Sequence, residues 1–78
     1  MVKVTIYTTP TCAYCKMTKA FFKEHNVVYE EKDVASDHAA AEEAMEKSGA
    51  MSVPVIDIDG TIVVGFDKPR LSQLLGIK

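Results

Sequence analysis

Apolar and polar residues first alternate along this chain, and then fall into a longer period. Lys3–Thr8 (Lys-Val-Thr-Ile-Tyr-Thr) is β-branched and alternating, the pattern of a strand. Over Tyr14–His25, the residues Tyr14, Met17 and Phe21, with Cys15, Thr18 and Phe22 beside them, form a broad apolar stripe at helical spacing. Thr9-Pro10 separates the two segments, because proline cannot continue a sheet ladder and fixes its own φ. Val27–Asp33 predicts a second strand, polar toward its end and so suited to a sheet edge. A helix between two strands makes a βαβ unit, which predicts parallel strands and a right-handed crossover. Ser36 or Asp37 then caps a helix running through Lys47, with Ala40, Ala41, Ala44 and Met45 as its buried side and Gly49 as its terminator. Val53–Ile58 and Thr61–Gly65 flank Asp59-Gly60, a two-residue hairpin turn pair. The last helix has Asp67 as N-cap, Pro69 in its first turn, Leu71, Leu74 and Leu75 as its packed stripe, and Gly76 at its end. The predicted order is β-α-β-α-β-β-α, an α/β chain with no linker, repeat or low-complexity segment.

Composition narrows the setting. At 78 residues the chain makes one domain, just large enough to fold on its own core. No apolar run approaches the ~20 residues of a membrane span, and no apolar stretch of a signal peptide is visible. Two cysteines do not make a disulfide framework of the secreted kind, so a reducing cytoplasm is the expected location. A net charge of −2 and the lack of basic–aromatic interleaving argue against a nucleic-acid partner. Residues 1–23 carry Lys3, Lys16, Lys19 and Lys23 and no acid, whereas residues 24–60 carry ten acids against Lys32 and Lys47. The basic end is the cysteine end, which favours a thiolate and attracts an anionic partner. Lys19 and Lys23 serve equally well as solvating residues of an exposed helix face. Lys16, adjacent to Cys15, is the stronger candidate for stabilising a thiolate.

The chemistry resides in Cys12 and Cys15, the only two cysteines, placed where the first strand has ended and a helix begins. The first turn of a helix offers unpartnered N–H groups and the positive end of the macrodipole. Cys12, at or just outside the helix start, is expected to be the exposed, activated sulfur. Cys15, three residues on, lies over the preceding turn and reaches Cys12. One sulfur attacks and its neighbour resolves, which is dithiol–disulfide exchange. Zinc is the rival use of cysteines, with His25 and His38 as the remaining ligand candidates. An unbroken helix puts His25 ~15 Å beyond Cys15, against Zn–N bonds of ~2 Å, so this pair cannot share a mononuclear structural site with it. No metal or bound organic cofactor is expected.

Cys12-Ala13-Tyr14-Cys15, Ser52-Val53-Pro54 and Gly65-Phe66-Asp67 together resemble a glutaredoxin in the thioredoxin fold, across a single domain of residues 1–78. A Cys-x-x-Cys pair after a first strand, with Val-Pro opening a hairpin ~40 residues later, is far more specific than the pair alone. The lack of an extra N-terminal βα unit favours glutaredoxin over thioredoxin, as does Tyr14 where thioredoxins usually place proline. The resemblance implies a four-stranded mixed sheet flanked by three helices. It implies that Pro54 is a cis-proline facing the active site and that the Val53 backbone pairs with bound glutathione or peptide. Thr11 and Tyr14 would line the groove, while Gly65, Phe66 and Asp67 would meet the γ-glutamyl end of glutathione, with Asp67 also capping its helix. The implied activity is reduction of protein disulfides or of glutathione mixed disulfides by a monomer, with glutathione or a thioredoxin reductase as the electron source.

Four departures from the family pattern bear on the ligand. Ala13 replaces the usual proline, Thr9 and Ala50 stand where basic residues are common, and Lys68 replaces the second acid of the usual Gly-Gly-x-Asp-Asp ending. Each lost charge removes a charge-assisted hydrogen bond worth ~1.5–3 kcal/mol when well made, which predicts weakened glutathione binding. Gly65-Phe66-Asp67-Lys68-Pro69 also resembles the glutaredoxin-like hydrogen donors of ribonucleotide reductase, which take electrons from thioredoxin reductase. Ala13 opens a further alternative. Some glutaredoxins with a small residue at that position hold an iron–sulfur cluster between two protomers through the first cysteine and glutathione, although the missing glutathione-binding charges count against it.

Overall fold

A computed structural model of the chain describes residues 3–49 and 54–76. Its elements follow the predicted order: β1 (Val4–Thr8), α1 (Ala13–Glu24), β2 (Tyr29–Asp33), α2 (His38–Ser48), β3 (Val55–Ile58), β4 (Thr61–Val64) and α3 (Lys68–Leu75). The strands form one sheet in the order β2-β1-β3-β4. β1 runs parallel to β2 and antiparallel to β3, and β3 pairs with β4 through the predicted hairpin. The polar strand β2 is an edge, and β1, buried at all five of its residues, is central. Among the described residues no helix is long and apolar enough to cross a membrane.

Alternation in β1 sorts the core into two layers. Val4 and Ile6 face α1 and α3, where they join Phe21, Phe22, Ile56, Ile58, Val63 and Leu71. Tyr7 faces the opposite side and packs with Val55 against Ala40 and Ala44 of α2. The Tyr7 hydroxyl is buried and needs a partner. It donates to a Glu43 carboxylate oxygen, while the Lys47 ammonium donates to the tyrosine oxygen at 3.2 Å and to Asp57 at 2.7 Å. This polar network ties α2 to β1 and β3.

Several expectations shift in detail. Strand 2 begins at Tyr29 rather than Val27, because the Val27 N–H donates to the Phe22 carbonyl at 2.8 Å and finishes the helix. Asn26 supports that ending with a left-handed φ of 57°, a conformation asparagine tolerates. Of the stripe read for α1, Cys15, Thr18, Phe21 and Phe22 are buried, but Tyr14 is 62% exposed and Met17 49%. They sit on the flank of the buried face, one residue off its centre line. Met45 likewise stays exposed, since Ala40 and Ala44 alone meet Tyr7. Asp37, not Ser36, caps α2, accepting the Ala40 N–H at 3.1 Å, and Gly49 closes it in the left-handed conformation at φ 71°.

Candidate active site

Thr9–Cys12 forms a turn in which the Cys12 N–H donates to the Thr9 carbonyl at 3.3 Å, with Pro10 in the second position that its fixed φ suits. Cys12 itself is extended, at φ −84° and ψ 114°. Its sulfur accepts the Cys15 N–H at 3.1 Å, so a thiol fills the N-cap role usually taken by serine or aspartate. The first-turn amides of α1 therefore point their positive ends at the Cys12 sulfur.

Cys15 is a different kind of thiol. It is fully buried, at 0% exposure, and its pKa is pushed up to about 12. Burial is the main cause and the hydrogen bond with Cys12 the next, while a backbone hydrogen bond with Thr9 and the charge of Lys19 act the other way. Two of the raising influences, the hydrogen bond and the charge of Cys12, disappear once the Cys12 sulfur is tied up in a disulfide. A Cys12 sulfur held in a disulfide would therefore leave Cys15 easier to ionise. Iodoacetamide at neutral pH is expected to label the reduced protein once, at Cys12. Cys15 should react only well above pH 9 or after unfolding, as read by intact and peptide mass. Equal labelling of both thiols at neutral pH would contradict the burial argument.

A groove of about 580 Å³ opens at Tyr14, between the cysteines in sequence, though neither cysteine lines it. Tyr14, buried Pro54, Gly65, Phe66 and Asp67 line it. The Gly65 N–H donates to the Pro54 carbonyl at 2.7 Å, and its left-handed φ of 82° swings the chain out of β4 toward α3. Phe66 is held edge-on against Phe21 at 5.9 Å, and Asp67 caps α3 by accepting the Arg70 N–H at 3.3 Å. Five of the predicted groove residues, Tyr14, Pro54, Gly65, Phe66 and Asp67, thus meet. Thr11 is exposed in the turn before Cys12 and does not line the groove. Val53, the bond between it and Pro54, and Ala50 lie outside the described residues.

Val64, Lys68 and Pro69 also line the groove; the family pattern marked Lys68 as a lost acid bearing on the ligand but gave Val64 and Pro69 no place in it. Lys68 leans over the Phe21 ring at 5.9 Å. Its adjacency to Asp67 in the first turn of α3 was the available signal. Lys16 is exposed on α1, and the cation whose charge reaches Cys15 is Lys19. The two histidines are placed elsewhere, His25 against Phe21 at 4.6 Å and His38 beside Glu42 at 3.2 Å. A smaller cleft of about 210 Å³ between Lys3, Glu30, Lys32 and Asp59 is of mixed charge and includes neither cysteine.

Residues 4–63 match the Glutaredoxin family. The chain belongs to the glutaredoxin family. This glutaredoxin is 43% identical to an uncharacterised glutaredoxin-like 8.6 kDa protein in the rubredoxin operon of Clostridium pasteurianum, over 92% of this chain and 96% of that one. A crystal structure of a mutant of the thioredoxin-like protein BC3987 matches it with a TM-score of 0.92 and 40% identity, over 96% of both chains. NrdH-redoxin from Escherichia coli, a glutaredoxin-like protein described as having a thioredoxin-like activity profile, matches with a TM-score of 0.81 and 26% identity, over 92% of this chain and 93% of that one. The sheet order and helix placement of this glutaredoxin are those of the thioredoxin fold, and its family makes it a thiol–disulfide oxidoreductase.

Proposed function

We propose that this glutaredoxin is a cytoplasmic, monomeric reductant of protein disulfides that works as a dithiol. The observation that carries the reading is the unlike pair: a partly exposed Cys12 sulfur at the helix cap, and a buried, proton-holding Cys15 one turn away. The Cys12 thiolate attacks one sulfur of the substrate disulfide, that bond breaks, and the other substrate sulfur leaves with the electron pair and takes up a proton. Cys15 then loses its proton to solvent and attacks the Cys12 sulfur, displacing the first substrate sulfur as the second thiol. Two electrons have passed to the substrate, and the protein holds a Cys12–Cys15 disulfide. An external reductant must reopen it, which suits a reducing cytoplasm.

In this reading an extended substrate segment lies along Tyr14, Pro54 and Phe66. Lys16, exposed one turn after Cys12, adds positive field at the reacting sulfur. Lys68 favours a thioredoxin reductase as the electron source. It puts a cation in the groove where the family pattern has an acid for the glutathione amine, and the likeness to NrdH-redoxin supports the same choice. A second reading, reduction of glutathione mixed disulfides with glutathione as reductant, is favoured by Asp67, whose carboxylate lines the groove where the γ-glutamyl end would lie.

Insulin reduction with NADPH and either thioredoxin reductase or glutathione with its reductase separates the two. Thioredoxin reductase is expected to sustain turnover about ten-fold faster at saturating NADPH, the equivalent of one missing charge-assisted bond of ~1.5 kcal/mol on the glutathione side. Faster turnover with glutathione would assign the protein to the second reading.

A further inference from the structure

Behind the cysteine pair, β1, α1 and β2 meet in a small polar cluster that the exchange reaction does not itself use. Glu31 of β2 projects to the α1 side of the sheet. One of its carboxylate oxygens accepts both the Thr8 hydroxyl at 2.8 Å and the Lys19 ammonium at 2.8 Å. Thr8 is buried, so the carboxylate is anchored from inside the fold, and Lys19 lies one helical turn beyond Cys15 on the same face of α1. The ion pair is roughly a third exposed, and pairs of that kind add little to stability. Its position matters more than its strength, because Lys19 follows buried Cys15 by one turn of the same helix, and its charge is the smallest of the named influences on that thiol.

We propose that Lys19 and Glu31 are positioning residues for the resolving thiol: the carboxylate, fixed by Thr8, offsets much of the lysine charge and so meters how readily Cys15 ionises and closes on Cys12. The inference rests on the dithiol reading of the site. The groups facing Cys15 are Cys12, the Thr9 backbone and Lys19. Lys19 faces Glu31 and Tyr29, and Glu31 faces Lys19, Thr8 and Asp33. Hydrogen bonding to Lys19 and then to Thr8 holds the Glu31 carboxyl below its ordinary range, and the bond to Glu31 holds the Lys19 ammonium above its own. Both partners therefore stay charged from mildly acidic to alkaline pH, and the offset is constant wherever the exchange reaction runs.

Glu31→Gln keeps an acceptor for Thr8 and Lys19 but removes the negative charge. Lys19→Met keeps the aliphatic stem but removes the positive one. The first should make Cys15 easier to ionise and the second harder. A roughly ten-fold change in the thiolate fraction is partly offset by the opposite change in nucleophilicity, leaving a rate change of roughly three-fold at neutral pH.

The probe is one equivalent of Ellman's reagent on the reduced protein, followed by stopped flow from pH 6 to 10. The first nitrothiobenzoate is released as Cys12 attacks, and the second as Cys15 closes the disulfide. The second phase should quicken in Glu31→Gln and slow in Lys19→Met, with rate–pH curves displaced in opposite directions and by less at high salt. A purely structural role would slow both variants alike, and that result, or no displacement, overturns the proposal. If the wild-type protein shows no second phase, or Cys15→Ser keeps it, the dithiol reading itself fails.

Discussion

Cys12→Ser should show no exchange above the rate without protein on any disulfide substrate, whereas Cys15→Ser should lose only the reactions that need a second thiol. The asymmetry follows from where the two sulfurs sit. Cys12 is the accessible one, and it alone receives an amide of the first helical turn. A serine hydroxyl would make the same cap hydrogen bond, so the variant should fold normally while lacking a nucleophile. Cys15 cannot take over, because it is fully buried, and burial, the largest influence on its thiol, pushes its pKa up with or without Cys12. Without Cys15, the mixed disulfide on Cys12 persists on a protein substrate and is visible as a covalent adduct by mass. A glutathione adduct can still be cleared by a second glutathione, so some glutathionyl transfer should survive. Insulin reduction, adduct mass and deglutathionylation of a model peptide read the three outcomes. Exchange retained by Cys12→Ser but lost from Cys15→Ser would reverse the roles.

Phe22→Ala is expected to give the largest loss of stability in the chain. The ring is fully buried, packs against Tyr29 at 5.4 Å between centroids, and holds α1 to the sheet. Truncating a buried phenylalanine costs ~3–5 kcal/mol. At ~0.05–0.15 kcal/mol per residue, a chain of this length holds a total of about 4–12 kcal/mol. The variant should therefore melt roughly 12–40 °C lower, at ~4–8 °C per kcal/mol for a domain of this size. Because α1 carries Cys15 and is capped by Cys12, thiol exchange should fail at the same temperature as the fold. Thermal melts followed by circular dichroism and by insulin reduction should coincide. A loss under ~1 kcal/mol would mean that the core closes freely over the gap and that α1 is anchored elsewhere.

Local pattern was enough to order the elements and to place Cys12 at the start of α1. The strand-to-helix change of period around Cys12, the Asp59-Gly60 turn, and the Asp67 and Gly49 ends of their helices all act within a few residues, and each lies where its neighbours in sequence place it. Face was harder to read than element. A helical stripe gives a direction to within about a residue, and that margin separates buried Cys15 and Thr18 from exposed Tyr14 and Met17. The contacts that join distant segments were not legible. Tyr7 finds Glu43 and Lys47 across more than thirty positions, and Thr8 finds Glu31 across the β1–β2 pairing. Charged residues at such positions look like solvated surface until the sheet order is known. Lys68 shows the same limit at the groove, where its place in the wall depends on how β4 turns into α3.

In the proposed reaction the sulfur that attacks is also the N-cap of α1. In the free dithiol it latches the helix through the Cys15 amide. A disulfide sulfur is only a weak acceptor, and an N-cap lost outright costs about 0.5–2 kcal/mol. The latch is therefore loose at the one stage when Cys15 has to reach across to Cys12, and it tightens again after reduction. On that reaction path, loading the nucleophile would unfasten the end of the helix that presents it.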